Sequence, residues 1–120
     1  QGLPLISTHP DLVCPTPDGP IPDSGLITYV IEATTGVKAR YLGKPMVDMV
    51  DGAAQKLGLE REDLLFVGDR LYTDMRMAVD AGIGAVLVLG GETTEQMLAN
   101  ATIAPNVVAP DLQSLIEFLS

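Results

Sequence analysis

The chain has 120 residues, of which 47% are hydrophobic, enough for one modest core with a small lobe attached. Sixteen acidic against seven basic residues give a net charge of −9, and the cations are scattered singly, which argues against nucleic acid and anionic membrane surfaces as partners. No apolar stretch approaches the ~18 residues of a spanning helix, and the one cysteine, Cys14, cannot form an intrachain disulfide, so a reducing cytoplasmic setting is expected.

The chain opens Gln1-Gly2-Leu3-Pro4 without a Met and turns apolar at once, as expected of a piece of something longer. Leu3 to Thr8 reads as a short buried strand ended by His9-Pro10-Asp11. From Cys14 to Ser24 five residues are Pro or Gly (Pro15, Pro17, Gly19, Pro20 and Pro22), a density that predicts an irregular loop. Ser24 is placed to cap a helix with Leu26, Ile27, Val30, Ile31 and Thr34 on its periodic positions and Gly36 closing it. Ala39 to Leu42 reads as a strand. Pro45 suits a helix start, and Met46, Met49, Val50, Ala53 and Leu57 recur at helical spacing before Gly58.

Leu64 to Val67 is a continuous apolar run ending at Gly68-Asp69, the pattern of a parallel strand buried on both faces. Thr73 or Asp74 then caps a helix reaching to Gly82; Ala85 to Leu89 is a second buried strand, closed by Gly90-Gly91; Thr93 to Ala99 is a short helix. Val107-Val108 suits an edge strand, and Asp111 caps a last helix with Leu112, Leu115, Ile116 and Leu119 on one face. The alternation of helix and strand from residue 44 onward predicts an α/β fold with a parallel sheet and right-handed crossovers. Residues 1–42 break that rhythm and are expected to form a separate lobe, with 43–120 as the main unit.

Val67-Gly68-Asp69-Arg70-Leu71-Tyr72-Thr73-Asp74 places two carboxylates at the C-terminal end of a buried strand and the start of the next helix, the edge at which open α/β sheets bind ligands. Two carboxylates there suit Mg²⁺, which takes few protein ligands and keeps several waters. The plainer alternative makes Asp69 a loop residue and Asp74 a cap. Gly43-Lys44-Pro45 precedes a helix, and a lysine there offers a compact positive charge to a phosphoryl oxygen, although a solvated surface lysine is the plainer reading.

Taken together, Gly43-Lys44-Pro45 followed by Val67 to Asp74 resembles the third and fourth motifs of the haloacid dehalogenase-like (HAD) hydrolases, in particular the NagD-like, p-nitrophenylphosphatase-like subfamily. Ile6 to Asp11 resembles that subfamily's cap-domain strand and its Asn-Pro-Asp turn; Ala81-Gly82-Ile83, Leu87 to Gly91 and the segment from Asp111 resemble its following strand and closing helix. The resemblance implies the C-terminal half of a parallel Rossmann-like core, over residues 43–120, preceded by a partial α/β cap over 1–42. It further implies a Mg²⁺-dependent phosphate-monoester hydrolase acting through an aspartyl-phosphate. Lys44 would steady the phosphate charge, Asp69 would ligate Mg²⁺, Asp74 would support the metal, and His9 and Asp11 are substrate-side candidates from the cap.

The family's nucleophile and its acid-base partner form a D-x-D motif, which this chain lacks. Asp48-Met49-Val50-Asp51 has the wrong spacing and Glu60-Arg61-Glu62 falls in a surface turn. The chain alone is therefore expected to be inactive. The other reading is a non-catalytic metal- or phosphate-binding module. A phospho-accepting receiver domain fits less well, because Lys44 precedes both acids. His9 stands where the subfamily usually has Asn, and Met46-Val47 where it usually has Ser-Pro; Cys14 has no basic neighbour to activate it. The expected ligand is a small phosphorylated metabolite. With the neighbouring core strand missing, the strand ending at Asp69 is expected to expose an apolar edge. That edge would pair with a second copy, with a complementing N-terminal half, or with the chain's own Leu3 to Thr8.

Overall fold

In the computed structural model, which describes residues 2–119, the chain divides into two units between Met46 and Val47. In the first unit, β1 (Leu5–Ser7) is followed by two-residue strands β2 (Val13–Cys14) and β3 (Ile21–Pro22), then by α1 (Ser24–Thr35) and β4 (Ala39–Tyr41). β1 and β4 pair in parallel, with Leu5 opposite Ala39 and Ser7 opposite Tyr41. β1 therefore finds its strand partner within its own lobe and is not a strand of the larger sheet. The proline-rich stretch is also less irregular than expected. β2 and β3 pair antiparallel, Val13 with Pro22 and Cys14 with Ile21, since a pairing two residues long asks for few N–H donors and tolerates proline at its margin.

Asp23, not Ser24, caps α1: its carboxylate accepts the Ser24 N–H at 2.7 Å. Ser24 instead donates its hydroxyl to the His9 carbonyl at 3.1 Å. The buried face of α1 carries small residues, Gly25 and Thr28. A Cβ on Gly25 would strike the Pro10 and Asp11 backbone, and Thr28 donates its hydroxyl to that of Ser7 at 2.7 Å. This close approach leaves the larger side chains of Ile27, Val30 and Ile31 exposed. Gly36 closes the helix in the left-handed conformation, as its position predicts.

The second unit contains α2 (Asp48–Leu57), β5 (Leu65–Gly68), α3 (Arg76–Ala81), β6 (Gly84–Val88), α4 (Glu95–Ala99), β7 (Val107–Ala109) and α5 (Leu112–Leu119). Helix α2 starts at Asp48 instead of Pro45, because residues 43–46 form a turn in which Met46 N–H reaches the Gly43 carbonyl at 3.0 Å. The three strands form one all-parallel sheet in the order β5-β6-β7, with the helical connections expected of βαβ units.

Central β6 shows why the sequence there is uniformly apolar. Ala85 and Leu87 face a core made with Val50, Met75, Met77 and Ala78, whereas Val86 faces the opposite side with Ala109 and Leu115. β5 departs from the expectation of burial on both faces: Leu65 is 52% and Val67 39% exposed, because β5 is an edge of the sheet among the described residues. No helix among the described residues is long and apolar enough to cross a membrane.

Candidate functional site

β5 delivers the chain to Gly68, from which Asp69 and Arg70 lead into a π-helical turn, Leu71–Met75, ahead of α3. Such i→i+5 turns recur at functional sites because they re-aim side chains within a helix. Neither Thr73 nor Asp74 is the helix cap expected from the sequence, since the helical run already begins at Leu71. Asp74, only 1% exposed, instead turns back on the corner it follows. Its Oδ2 accepts the backbone N–H of Asp69 at 3.1 Å and of Arg70 at 3.2 Å. Gly68 makes room for this: a Cβ there would lie 2.5 Å from both Cβ and Oδ2 of Asp74. One buried carboxylate thus fixes the exit from β5.

Asp69 is tied down from the other side by the loop that follows β6. Its Oδ2 accepts the Glu92 N–H at 2.9 Å, and its carbonyl accepts the Thr93 N–H at 3.1 Å. A Cβ on Gly91 would collide with the Asp69 carboxylate, so the Gly90-Gly91 pair expected to close β6 lets the loop press onto the acid. The Glu92 side chain returns across the corner, with Oε2 2.5 Å from Arg70 Nε and Oε1 accepting the Tyr72 hydroxyl at 2.8 Å. The hydroxyls of Thr73 and Thr93 are buried without hydrogen-bond partners.

No group of three or more His, Cys, Asp and Glu side chains suited to a metal ion occurs among the described residues. The donor set at the β5 exit nevertheless fits Mg²⁺. Asp69 is half-buried at the sheet's C-terminal edge, and Mg²⁺ characteristically takes one or two carboxylates, with water and substrate phosphate completing the shell. Asp74 fits less as a direct ligand, because its Oδ2 already receives two N–H groups.

The remaining sequence candidates lie in the first unit, where they converge on the C-terminal ends of β1 and β4. Past the paired strands, Leu42 N–H donates to the Ser7 carbonyl at 3.0 Å and Gly43 N–H to the Thr8 carbonyl at 2.5 Å. Lys44 and His9 therefore occupy adjacent turns, and Gly43 is required there because a Cβ would meet the Thr8 carbonyl. His9 sits between two carboxylates, Nε2 3.4 Å from Asp23 Oδ1 and Nδ1 3.7 Å from Asp11 Oδ2. The second separation is too long for a hydrogen bond, which leaves Nδ1 without a hydrogen-bond partner.

The profile of the HAD-hydrolase-like family matches residues 41–115, more than half of the chain. The chain belongs to that family. A 4-nitrophenylphosphatase from Thermotoga maritima superposes with a TM-score of 0.85 at 44% identity, over 97% of this chain and 45% of that one. A p-nitrophenyl phosphatase from Archaeoglobus fulgidus gives 0.84 at 33% identity, over 98% and 47%. Among curated relatives, an acid sugar phosphatase of Staphylococcus aureus is 32% identical over 116 residues, covering 97% of this chain and 45% of that protein. A dihydroxyacetone phosphatase of Corynebacterium glutamicum is 31% identical over 116 residues, covering 97% and 42%. The relatives are HAD-type, NagD-like phosphatases, and this HAD-family chain spans less than half of their length, corresponding to their C-terminal half.

Sequence reasoning reached Asp69 and Asp74 but not Arg70, Tyr72, Gly91, Glu92 or Thr93. Arg70 and Tyr72 lie inside the quoted motif. Glu92 carries no local signal, since its partners are about twenty positions away and meet it only through the parallel pairing of β5 with β6.

Proposed function

We propose that this chain carries the metal-facing half of a Mg²⁺-dependent phosphate-monoester hydrolase. The observation that supports it is the division of labour between the two acids: Asp74 is spent on the backbone of the β5 exit, which leaves the half-buried Asp69 as the ligand at the sheet's C-terminal edge. Asp69 would hold Mg²⁺, and Asp74 would keep the Asp69 backbone in place. Bound Mg²⁺ supplies charge stabilisation to phosphoryl oxygens. Lys44 has the role of charge partner to the transferred phosphoryl group, a role resting on its Gly43-Lys44-Pro45 motif. His9 and Asp11, in the turn beside it, are the substrate-side candidates.

The substrate class is a small phosphorylated metabolite, in keeping with relatives named as sugar and dihydroxyacetone phosphatases. Nucleic acid and membranes are not partners in this reading, and the compartment is the cytoplasm, in keeping with a single cysteine. These 120 residues hold no D-x-D nucleophile motif, so by themselves they would bind without turning over until an N-terminal half supplies the aspartate. A purely binding module is the alternative that the same absence favours.

Hydrolysis of p-nitrophenyl phosphate with Mg²⁺ separates these readings. The chain alone is expected to show no turnover that an Asp69→Ala control abolishes. Addition of a relative's N-terminal half, carrying D-x-D, is expected to restore Asp69-dependent turnover. If that half binds to the chain and still no activity appears, the module reading stands. Turnover by the chain alone, lost in Asp69→Ala, would contradict the inactivity.

A further inference from the structure

We infer that Glu92 is a positioning residue for Asp69: its side chain, clamped by Arg70 and Tyr72, holds its own backbone N–H on Asp69 Oδ2, so that Oδ1 is the oxygen that would serve a cation. The inference rests on the proposed role of Asp69 and deepens it. Gly90 and Gly91 carry no side chains with which to anchor the loop after β6, and Gly91 must stay bare because a Cβ would strike Asp69. The loop is fixed instead by the residues that follow, by the Thr93 N–H on the Asp69 carbonyl and by the Glu92 side chain. Glu92 places one oxygen 2.5 Å from the Arg70 guanidinium and takes the Tyr72 hydroxyl on the other at 2.8 Å. Arg70 follows Asp69 in the chain and Tyr72 lies in the π-turn behind it, so the clamp links the loop to the same corner that Asp74 fixes from within. The Glu92 N–H then reaches Asp69 Oδ2 at 2.9 Å. A carboxylate with one oxygen engaged by an amide has its other oxygen, and one defined orientation, for a cation.

This geometry makes Glu92 act through Asp69, not on a substrate, and it is visible without a metal. In the full 120-residue chain, amide hydrogen exchange is to be followed in wild type, Glu92→Ala, Glu92→Gln and Tyr72→Phe. The expected result is exchange at the residue 92 amide about three- to tenfold faster in Glu92→Ala, the size of one lost hydrogen-bond contribution. Glu92→Gln, which can still accept from Tyr72, is expected to recover part of that protection. Tyr72→Phe alters one partly exposed hydroxyl and should fall between wild type and Glu92→Ala. The Val86 and Leu87 amides in β6 should not change, as they would if the substitutions merely loosened the fold.

An unchanged residue 92 amide in Glu92→Ala, or a rate raised equally throughout β6, would overturn the inference. Mn²⁺ titration read by electron paramagnetic resonance then tests the metal reading separately. Wild-type binding that is lost in Asp69→Asn and weakened about tenfold in Glu92→Ala, the usual lower bound for losing an outer-shell partner, supports both. No binding by wild type defeats the metal reading while the exchange data still decide the clamp. Wild-type binding equalled by Glu92→Ala defeats the positioning role.

Discussion

Asp74 and Asp69 look alike in the sequence but have opposite physical situations, and single substitutions should separate them. Asp74→Ala removes a buried acceptor from two backbone N–H groups and should cost about 2–4 kcal/mol of stability, read as a lower urea midpoint. Asp74→Asn keeps one acceptor oxygen and should lose less. Asp69→Asn, half-exposed and bonded to a single amide through its side chain, should change the midpoint little while abolishing Mn²⁺ binding. Equal destabilisation by Asp69→Asn and Asp74→Ala would contradict this division. Gly68→Ala tests the same corner from outside: its Cβ would have to displace the Asp74 carboxylate, at a cost of about 1–3 kcal/mol.

At the level of elements, the strands and helices that the sequence disclosed are those whose signal is local. β6 was legible because both of its faces are buried, giving an unbroken apolar run, and Gly36 and Gly58 were legible because each closes a helix in the left-handed conformation. The start of α2, the cap of α1 and the π-turn were not legible: Ser24 and Asp23 are equally good caps, and nothing in Leu71 to Met75 distinguishes an i→i+5 from an i→i+4 turn. The Glu92 clamp was hidden because it depends on pairing across the sheet. In the first unit, α1 and β4 are joined by a bond that pH should reveal. Glu32 Oε1 accepts the Ala39 N–H at 2.6 Å, and that bond, with Lys38 nearby, holds its carboxyl below the ordinary value of 4.5. A lowered folded-state value means that the unfolded chain binds the proton more readily, so the contribution is present above about pH 4.5 and is lost as pH falls through the folded value. Glu32→Gln is expected to lower the urea midpoint at neutral pH and to narrow its gap from wild type in acid; a gap independent of pH would refute the assignment.

For the whole molecule, the sheet order places a weakness where the function is proposed. β5 leads to Asp69, the acid proposed to hold the metal, yet it is an edge among the described residues, with Leu65 and Val67 half in water. An apolar edge with unpaired N–H and C=O groups is a template for another strand, and a second copy of the chain is the occupant always present. Two copies, each with a net charge of −9, repel, so pairing should strengthen as salt screens that charge. Light scattering after gel filtration is expected to move from monomer mass at low salt and low concentration toward dimer mass when both are raised. Val67→Lys, which puts a charge on the edge without touching Asp69 or Asp74, should keep the chain monomeric under both conditions. A wild-type chain that stays monomeric throughout, yet gains a partner when a relative's N-terminal half is added, would show that the edge accepts only a complementing half. A dimer unaffected by Val67→Lys would place the contact elsewhere, for which the exposed Ile27, Val30 and Ile31 face of α1 is the next surface to alter.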